Sequence, residues 1–283
     1  MKNKIINSKI FYIVLSCIII IMFFTSDTKS NKKNIGVVKI EGTIMESEKI
    51  IQHLNEFNDR EDIKAIIIRL NTPGGSVAPS QEIFQKVKLI SESNKKPIIA
   101  SISSVAASGG YYIAIGADKI VANPGSITGS IGVIITYPIA KELIDKIGLK
   151  FEIHKSGKLK DSGSPYRIAN EDDRIYFKEV VDDMHRQFTK EVSIQRGIDL
   201  KTINKYSDGR IFTGEKAYNI GLIDTLGSFE DALNISKNLA NIQGDINLIY
   251  PDKDKGHLFK MLFEQKILWS NFIEKLPMFI INN

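Results

Sequence analysis

Ser108 opens the run Ser108-Gly109-Gly110-Tyr111-Tyr112 after two alanines, and it is the hydroxyl best placed to serve as a nucleophile. A serine attacks poorly at neutral pH unless a neighbouring base takes its proton. The four histidines, His53, His154, His185 and His257, are far apart in sequence, and none stands in a recognisable triad context or at metal-ligand spacing. A desolvated lysine can replace histidine as the base. Lys160 lies about fifty residues downstream in Gly157-Lys158-Leu159-Lys160-Asp161, with Lys155 and Lys158 nearby, and spacing alone does not choose among the three. Whichever serves must be neutral, and lowering a lysine pKa from about 10.4 toward 7 requires about 4–5 kcal/mol of destabilisation of its charged form.

Acyl transfer also needs donors for the developing oxyanion. Gly109 follows Ser108 at an expected strand-to-helix junction and offers one free backbone N–H. The second would come from Gly74 or Gly75 in Asn71-Thr72-Pro73-Gly74-Gly75, where a missing side chain lets the backbone approach a substrate. A hydroxyl such as that of Ser130 can orient a lysine amine by hydrogen bonding. These residue types point to a serine peptidase that works without histidine.

The elements that must position these residues alternate between two periodicities. Ile35–Ile40, Ala65–Leu70 and Pro97–Ile102 read as strands, and the unbroken apolar run Ala65–Leu70 marks a strand buried on both faces. Glu46–Phe57 and Val77–Ser91 have helical spacing, and a helix is expected to start at Ser108 and run to Ile115. Short strands are expected at Lys119–Ala122, Gly132–Thr136 and Lys150–His154, with a helix at Ile139–Ile147. Glu171–Arg196 reads as one long helix; shorter ones follow near Lys201–Tyr206, Gly214–Asn219 and Ser228–Ala240. Strands alternating with helices predict an α/β fold with a largely parallel sheet.

Composition narrows the function classes. Of 283 residues, 43% are hydrophobic and 25% charged, the ordinary globular range. The net charge of +5 comes from scattered lysines with no nucleic-acid motif, which argues against DNA or RNA as a partner. Cys17 is the single cysteine and lies in the apolar N-terminus, so disulfides, thiol nucleophiles and cysteine-ligated zinc are excluded from the remainder. Neither a metal nor a cofactor is expected.

Lys2, Lys4 and Lys9 precede an apolar run, Ile10–Phe24, in the pattern of a signal peptide or signal anchor. No convincing cleavage site follows, so the reading is an uncleaved single-pass anchor in the cell membrane, with an extracytoplasmic catalytic domain. Residues 1–33 are thus assigned to anchor and linker, 34–250 to the peptidase domain and 251–283 to a tail. In that tail Leu258, Leu262, Leu268, Phe272 and Leu276 share one helical face, suited to a membrane surface, a partner or the domain itself.

Several motifs occur in an order similar to that of the signal peptide peptidase A family. They are Asn71–Ser76, Ala106–Tyr112, Ala117–Ala122, Thr128–Val133, Gly157–Asp161, Asp208–Arg210 and Gly221–Asp224, within a resemblance covering about residues 34–240. The resemblance implies a Clp-protease/crotonase fold of stacked ββα units. It implies a Ser-Lys dyad of Ser108 and Lys160, with Ser130 holding the amine. It further implies membrane-bound homo-oligomers, in which serine and lysine can come from adjacent subunits, that cut signal peptides left in the membrane after preprotein processing. Alternatives are a related membrane peptidase cutting a stomatin-like partner, a crotonase acting on acyl-CoA, and a scaffold with a degenerate peptidase domain.

Overall fold

The computed structural model describes residues 33–252. Sixteen elements are present: β1 (Lys33–Glu41), α1 (Glu48–Asp59), β2 (Ile63–Thr72), α2 (Val77–Glu92), β3 (Ile98–Ala107), α3 (Gly109–Ala114), β4 (Lys119–Ala122), β5 (Ile127–Gly129), α4 (Lys141–Lys146), α5 (Glu171–Arg196), α6 (Leu200–Asn204), β6 (Ile211–Thr213), α7 (Gly214–Asn219), β7 (Thr225–Leu226), α8 (Phe229–Leu239) and β8 (Ile246–Ile249). The sheet runs β6-β5-β3-β2-β1-β8, with every pairing parallel except β5 with β6. β3 forks: residues 99–102 pair with β4 and residues 105–107 with β5.

Alternate residues of β2 serve two cores. Ile66, Ile68 and Leu70 pack with Leu54, Phe57, Phe84 and Tyr111, while Ala65 and Ile67 pack on the other face with Ala232 and Leu233 of α8. Burial on both faces explains why this strand reads as an unbroken apolar run. Two carboxylates pin the sheet's entry edge. Asp118 accepts the Ile98 N–H at 2.7 Å, and Asp224 accepts the Ile120 N–H at 2.8 Å and the Arg196 guanidinium at 3.0 Å. Motif residues around positions 118 and 224 therefore act as backbone clamps.

Two expected strands are absent. Residues 132–136 and 150–154 carry β-branched and aromatic side chains, yet no neighbouring strand lies alongside them, and residues 150–154 are exposed throughout. A strand needs partners for its N–H and C=O groups, which propensity alone does not supply. The stretch 133–168 instead folds back on itself and on the start of α5: Phe151 stacks on Tyr166 at 4.2 Å, and Tyr137 meets Phe177 at 5.0 Å. Among the described residues no helix is long and apolar enough to cross a membrane. The run Ile10–Phe24 and the tail from Leu258 lie outside the described residues.

Candidate active site

Three adjacent parallel strands end side by side, and each delivers one part of the site. Register sets Thr72 of β2 beside Ala106 of β3, and Ala107 of β3 beside Gly129 of β5. Just past those ends come Gly74-Gly75, Ser108 and Ser130. Ligands of parallel sheets bind at this carboxyl edge, where loops rather than ladder bonds occupy the space.

Ser108 has φ 51° and ψ −119°, a backbone conformation that side-chain-bearing residues rarely adopt. Such strain costs on the order of 1–3 kcal/mol and persists only where the surroundings enforce it. Here they do: the Ser108 N–H donates to Gly129 O at 2.9 Å, and Ser108 O accepts from Tyr112 N at 2.9 Å. Tyr112 is wedged between Phe84 of α2 (5.0 Å) and Phe188 of α5 (4.8 Å). Tyr111 is fully buried and donates its hydroxyl to Leu222 O at 2.8 Å; burial pushes its pKa up. The short helix behind the serine is thus bolted to both flanking helices. Ser130, also at positive φ, is fixed by its N–H donating to Arg210 O at 2.9 Å.

The glycines close around the serine. A Cβ on Gly74 (φ 101°) would come within 2.8 Å of Ser108 Cβ and 2.7 Å of Gly109 N, so only glycine fits against that peptide. Gly75 bridges to Ile44 through Gly74 O and Ser76 N, which turns its own N–H away from Ile44. That nitrogen lies 3.4 Å from where a Gly109 Cβ would stand, facing the cleft from the opposite wall.

Ser108, Gly75 and Ser130 line one cavity of about 540 Å³, together with Val133, Val181, His185 and Asp208. A smaller recess of about 30 Å³ opens beside Ser108 and Gly109, walled by Val77, Tyr112, Val133, Met184 and Phe188. Among the wall residues, Val181, Met184, His185 and Phe188 of α5, and Val133, have no site role in the sequence reading. The first four recur at helical spacing along α5, a legible stripe with nothing to say that it faces a site. His185, which has no triad context in the sequence, stands on the cavity wall, and its Nε2 is buried without a hydrogen-bond partner among the described residues. Asp208 is drawn down to a pKa of about 2 by the Arg210 guanidinium, which bonds it at 2.7 Å.

Lys160 is not brought to this cavity. It sits on the outer loop, exposed, with its backbone N–H donating to Gly157 O at 3.2 Å. In the same loop Lys155 pairs with Asp161 at 2.7 Å, and Lys158 pairs with Asp172 of α5 at 2.6 Å.

A nucleophile at the carboxyl edge of a parallel sheet, opposed by two glycine peptides, is suited to acyl transfer. The comparisons with known proteins agree. The peptidase family S49 model matches residues 90–243, more than half of the chain, and the Clp protease model matches residues 29–126. The chain belongs to peptidase family S49. It is 36% identical over 218 residues to a candidate protease of Synechocystis sp., covering 76% of this chain and 78% of that one. It is 35% identical over 222 residues to a candidate signal peptide peptidase SppA of Enterococcus faecium, covering 78% and 64%. Over 208 residues it is 33% identical to the chloroplastic serine protease SPPA of Arabidopsis thaliana, covering 73% of this chain but 30% of that longer one. The chain is therefore a serine peptidase of the signal peptide peptidase A family, and its mixed sheet has the Clp/crotonase-like arrangement.

Proposed function

We propose that this chain is a membrane-associated serine endopeptidase that degrades hydrophobic peptides, signal peptides above all, with Ser108 as nucleophile and Lys160 as base. The strained Ser108 facing the Gly75 and Gly109 peptides carries this reading. Attack by its oxygen on a scissile carbonyl would place the oxyanion between the N–H groups of Gly109 and Gly75, with Gly74 shaping the loop beneath. Ser130, on the same cavity, would hold the lysine amine by its hydroxyl. The apolar recess of Val77, Val133, Met184 and Phe188 would take a small apolar side chain of the substrate. The likeness to the Enterococcus protein named as a signal peptide peptidase supports the substrate class.

The lysine, in this reading, comes from an adjacent copy of the chain in a homo-oligomer. The same outer stretch that carries Lys160 exposes Ile134 (87%), Leu143, Ile147, Leu149 and Phe151, more apolar surface than a lone soluble domain normally leaves to water. Closing that surface against a neighbour would also exclude water and keep the amine neutral. The apolar run Ile10–Phe24 would anchor the assembly in the cell membrane with its catalytic domains outside the cytoplasm.

Digestion of a synthetic signal peptide tests the assignment. Ser108→Ala and Lys160→Ala each abolish cleavage, while His185→Gln keeps at least half of it. Co-assembling the two inactive variants restores about one quarter of wild-type activity, because one site in four then joins an intact serine to an intact lysine across a head-to-tail interface. Activity in Lys160→Ala together with its loss in His185→Gln would transfer the base to the cavity wall.

A further inference from the structure

Seven arginines lie among the described residues, and six of them pair with a carboxylate. Arg60 pairs with Asp62 at 2.8 Å, and the hydrogen bonds from Arg167 hold Asp161 and Asp173 well below the usual carboxylate range. Arg69 is the exception. Half-buried in β2, it meets only neutral oxygens: Nη1 donates to the Ser101 hydroxyl at 2.8 Å and to Ile102 O at 3.4 Å, and Nη2 donates to the Ser103 hydroxyl at 3.1 Å. The guanidinium lies over the Phe229 ring, 5.2 Å from its centre. Burial draws the pKa of Arg69 down, yet a guanidinium keeps its proton in a folded protein, so the positive charge stays without a counter-charge.

Strand register places a second cation beside it. Lys39 of β1, Arg69 of β2 and Ser101 of β3 form one row across three parallel strands. Neighbouring strands are about 4.8 Å apart, so the two cations stand side by side on one face. Two residues earlier on that face, Val37, Ile67 and Ile99 pack with Ala232 and Leu233 of α8. Lys39 is exposed, and its ammonium lies 5.5 Å from the centre of the Tyr250 ring. Glu41, Glu230 and Asp252 are the carboxylates nearest in sequence to Lys39, Phe229 and Tyr250. All three are exposed, and among the described residues none pairs with Lys39 or Arg69.

A hydroxyl extends the donor set. Ser101 is 1% exposed and holds Nη1 from within, whereas Ser103, two residues on, is partly exposed on the same face. The Ser103 oxygen accepts from Arg69, and its own proton has no acceptor among the described residues. An ammonium, a guanidinium and a hydroxyl thus stand together without an opposing carboxylate. Two positive charges match a dianion, and donors on three separate side chains match oxygens arranged around one centre, as in a phosphate monoester.

We propose that Lys39, Arg69 and Ser103 bind a phosphate group, carried by a lipid headgroup or free in solution, on the sheet face opposite the helices that clamp Ser108. The site goes beyond peptide cleavage and does not depend on which group serves as base.

In the test, full-length protein in a non-ionic, phosphate-free detergent is titrated with inorganic phosphate while chloride holds the ionic strength constant. The thermal unfolding midpoint of the wild type rises saturably, by about 3 °C or more. Arg69→Gln removes the saturable rise, Lys39→Gln weakens the apparent Kd about tenfold, and Ser103→Ala weakens it about threefold. If Arg69→Gln folds poorly, Lys39→Gln still decides, because that side chain is exposed and its loss leaves the core untouched. A soluble short-chain phosphatidic acid that binds at least about tenfold more tightly than inorganic phosphate assigns the site to a lipid headgroup, and equal affinity assigns it to free phosphate. Equal stabilisation of wild type and Lys39→Gln, or no stabilisation by either phosphate source beyond that given by chloride, would overturn the proposal.

Discussion

Ser108 and Lys160 occupy surroundings that differ in most physical respects. The serine follows a central strand and has buried residues on either side in sequence, whereas every residue from 145 to 160 is exposed. Around Ser108 the backbone is fixed by packing: glycines admit no extra atom, aromatic rings clamp the helix behind it, and ladder register sets the three loops. Around Lys160 the shape is fixed by ion pairs, turns and one aromatic stack, with apolar side chains left facing water. The nucleophile is therefore set by the folding of one chain. The proposed base sits on a region that leaves large apolar side chains exposed.

The first way to break this contrast is to crowd the rigid half. A Cβ at Gly75 would overlap the Ile44 backbone carbonyl, which cannot step aside as a side-chain tip could. Gly75→Ala is expected to lower kcat/KM at least about 100-fold by displacing one oxyanion donor; a loss under tenfold would take Gly75 out of the oxyanion site. The second way is to spoil the outer surface. Ile147 is 61% exposed, so Ile147→Asp should leave thermal unfolding of the isolated chain almost unchanged. It should nevertheless lower activity about tenfold or more while sedimentation shows smaller particles, since a charge buried at an interface is costly. Equal activity with unchanged particle size would uncouple this face from assembly.

Acid separates the halves more gently. Asp161 and Asp173 have folded-state pKa values below their unfolded ones, so their contribution is fully present above about pH 4 and is lost as pH falls through the depressed values. Hydrogen exchange below about pH 4 should speed up at residues 157–167 before it does in β3. Simultaneous loss of protection in both would mean that the loop is no weaker than the core. The smallest effect is expected at Lys158, whose side chain is 71% exposed and bridges Asp172 on the surface. Lys158→Ala should change kcat/KM by less than about twofold, as exposed pairs contribute little.

How far the sequence could be read divides along the same line. The long strand and helix patterns of the core were legible, and α5 runs from Glu171 to Arg196 as its spacing predicts, between an Asn170 cap and a left-handed Gly197. Ser108, Gly74, Gly75 and Ser130 stand in runs of small residues, which suit a close approach of backbones but also occur in plain turns, so the family resemblance singles them out. The strands expected at 132–136 and 150–154 fail because their β-branched and aromatic residues have no neighbouring strand to pair with. The three-residue strand β6 was missed for the opposite reason: too short to show a period, it exists because β5 offers an edge. The α5 stripe was visible as a helix face, but nothing in its spacing distinguishes a core seam from a cavity wall. Lys160 could be preferred to Lys155 and Lys158 only through family resemblance, since the proposed nucleophile is about fifty residues away in sequence and Lys160 does not line its cavity.

The meeting of β2, β3 and β5 has a consequence for the nascent chain. Their pairings link stretches of sequence that emerge at different times, so the contorted backbone at residue 108 has nothing to hold it until all three are in register. A partly synthesised or misfolded copy would consequently carry an ordinary relaxed serine, and the proposed nucleophile would take its strained form only once the sheet is finished.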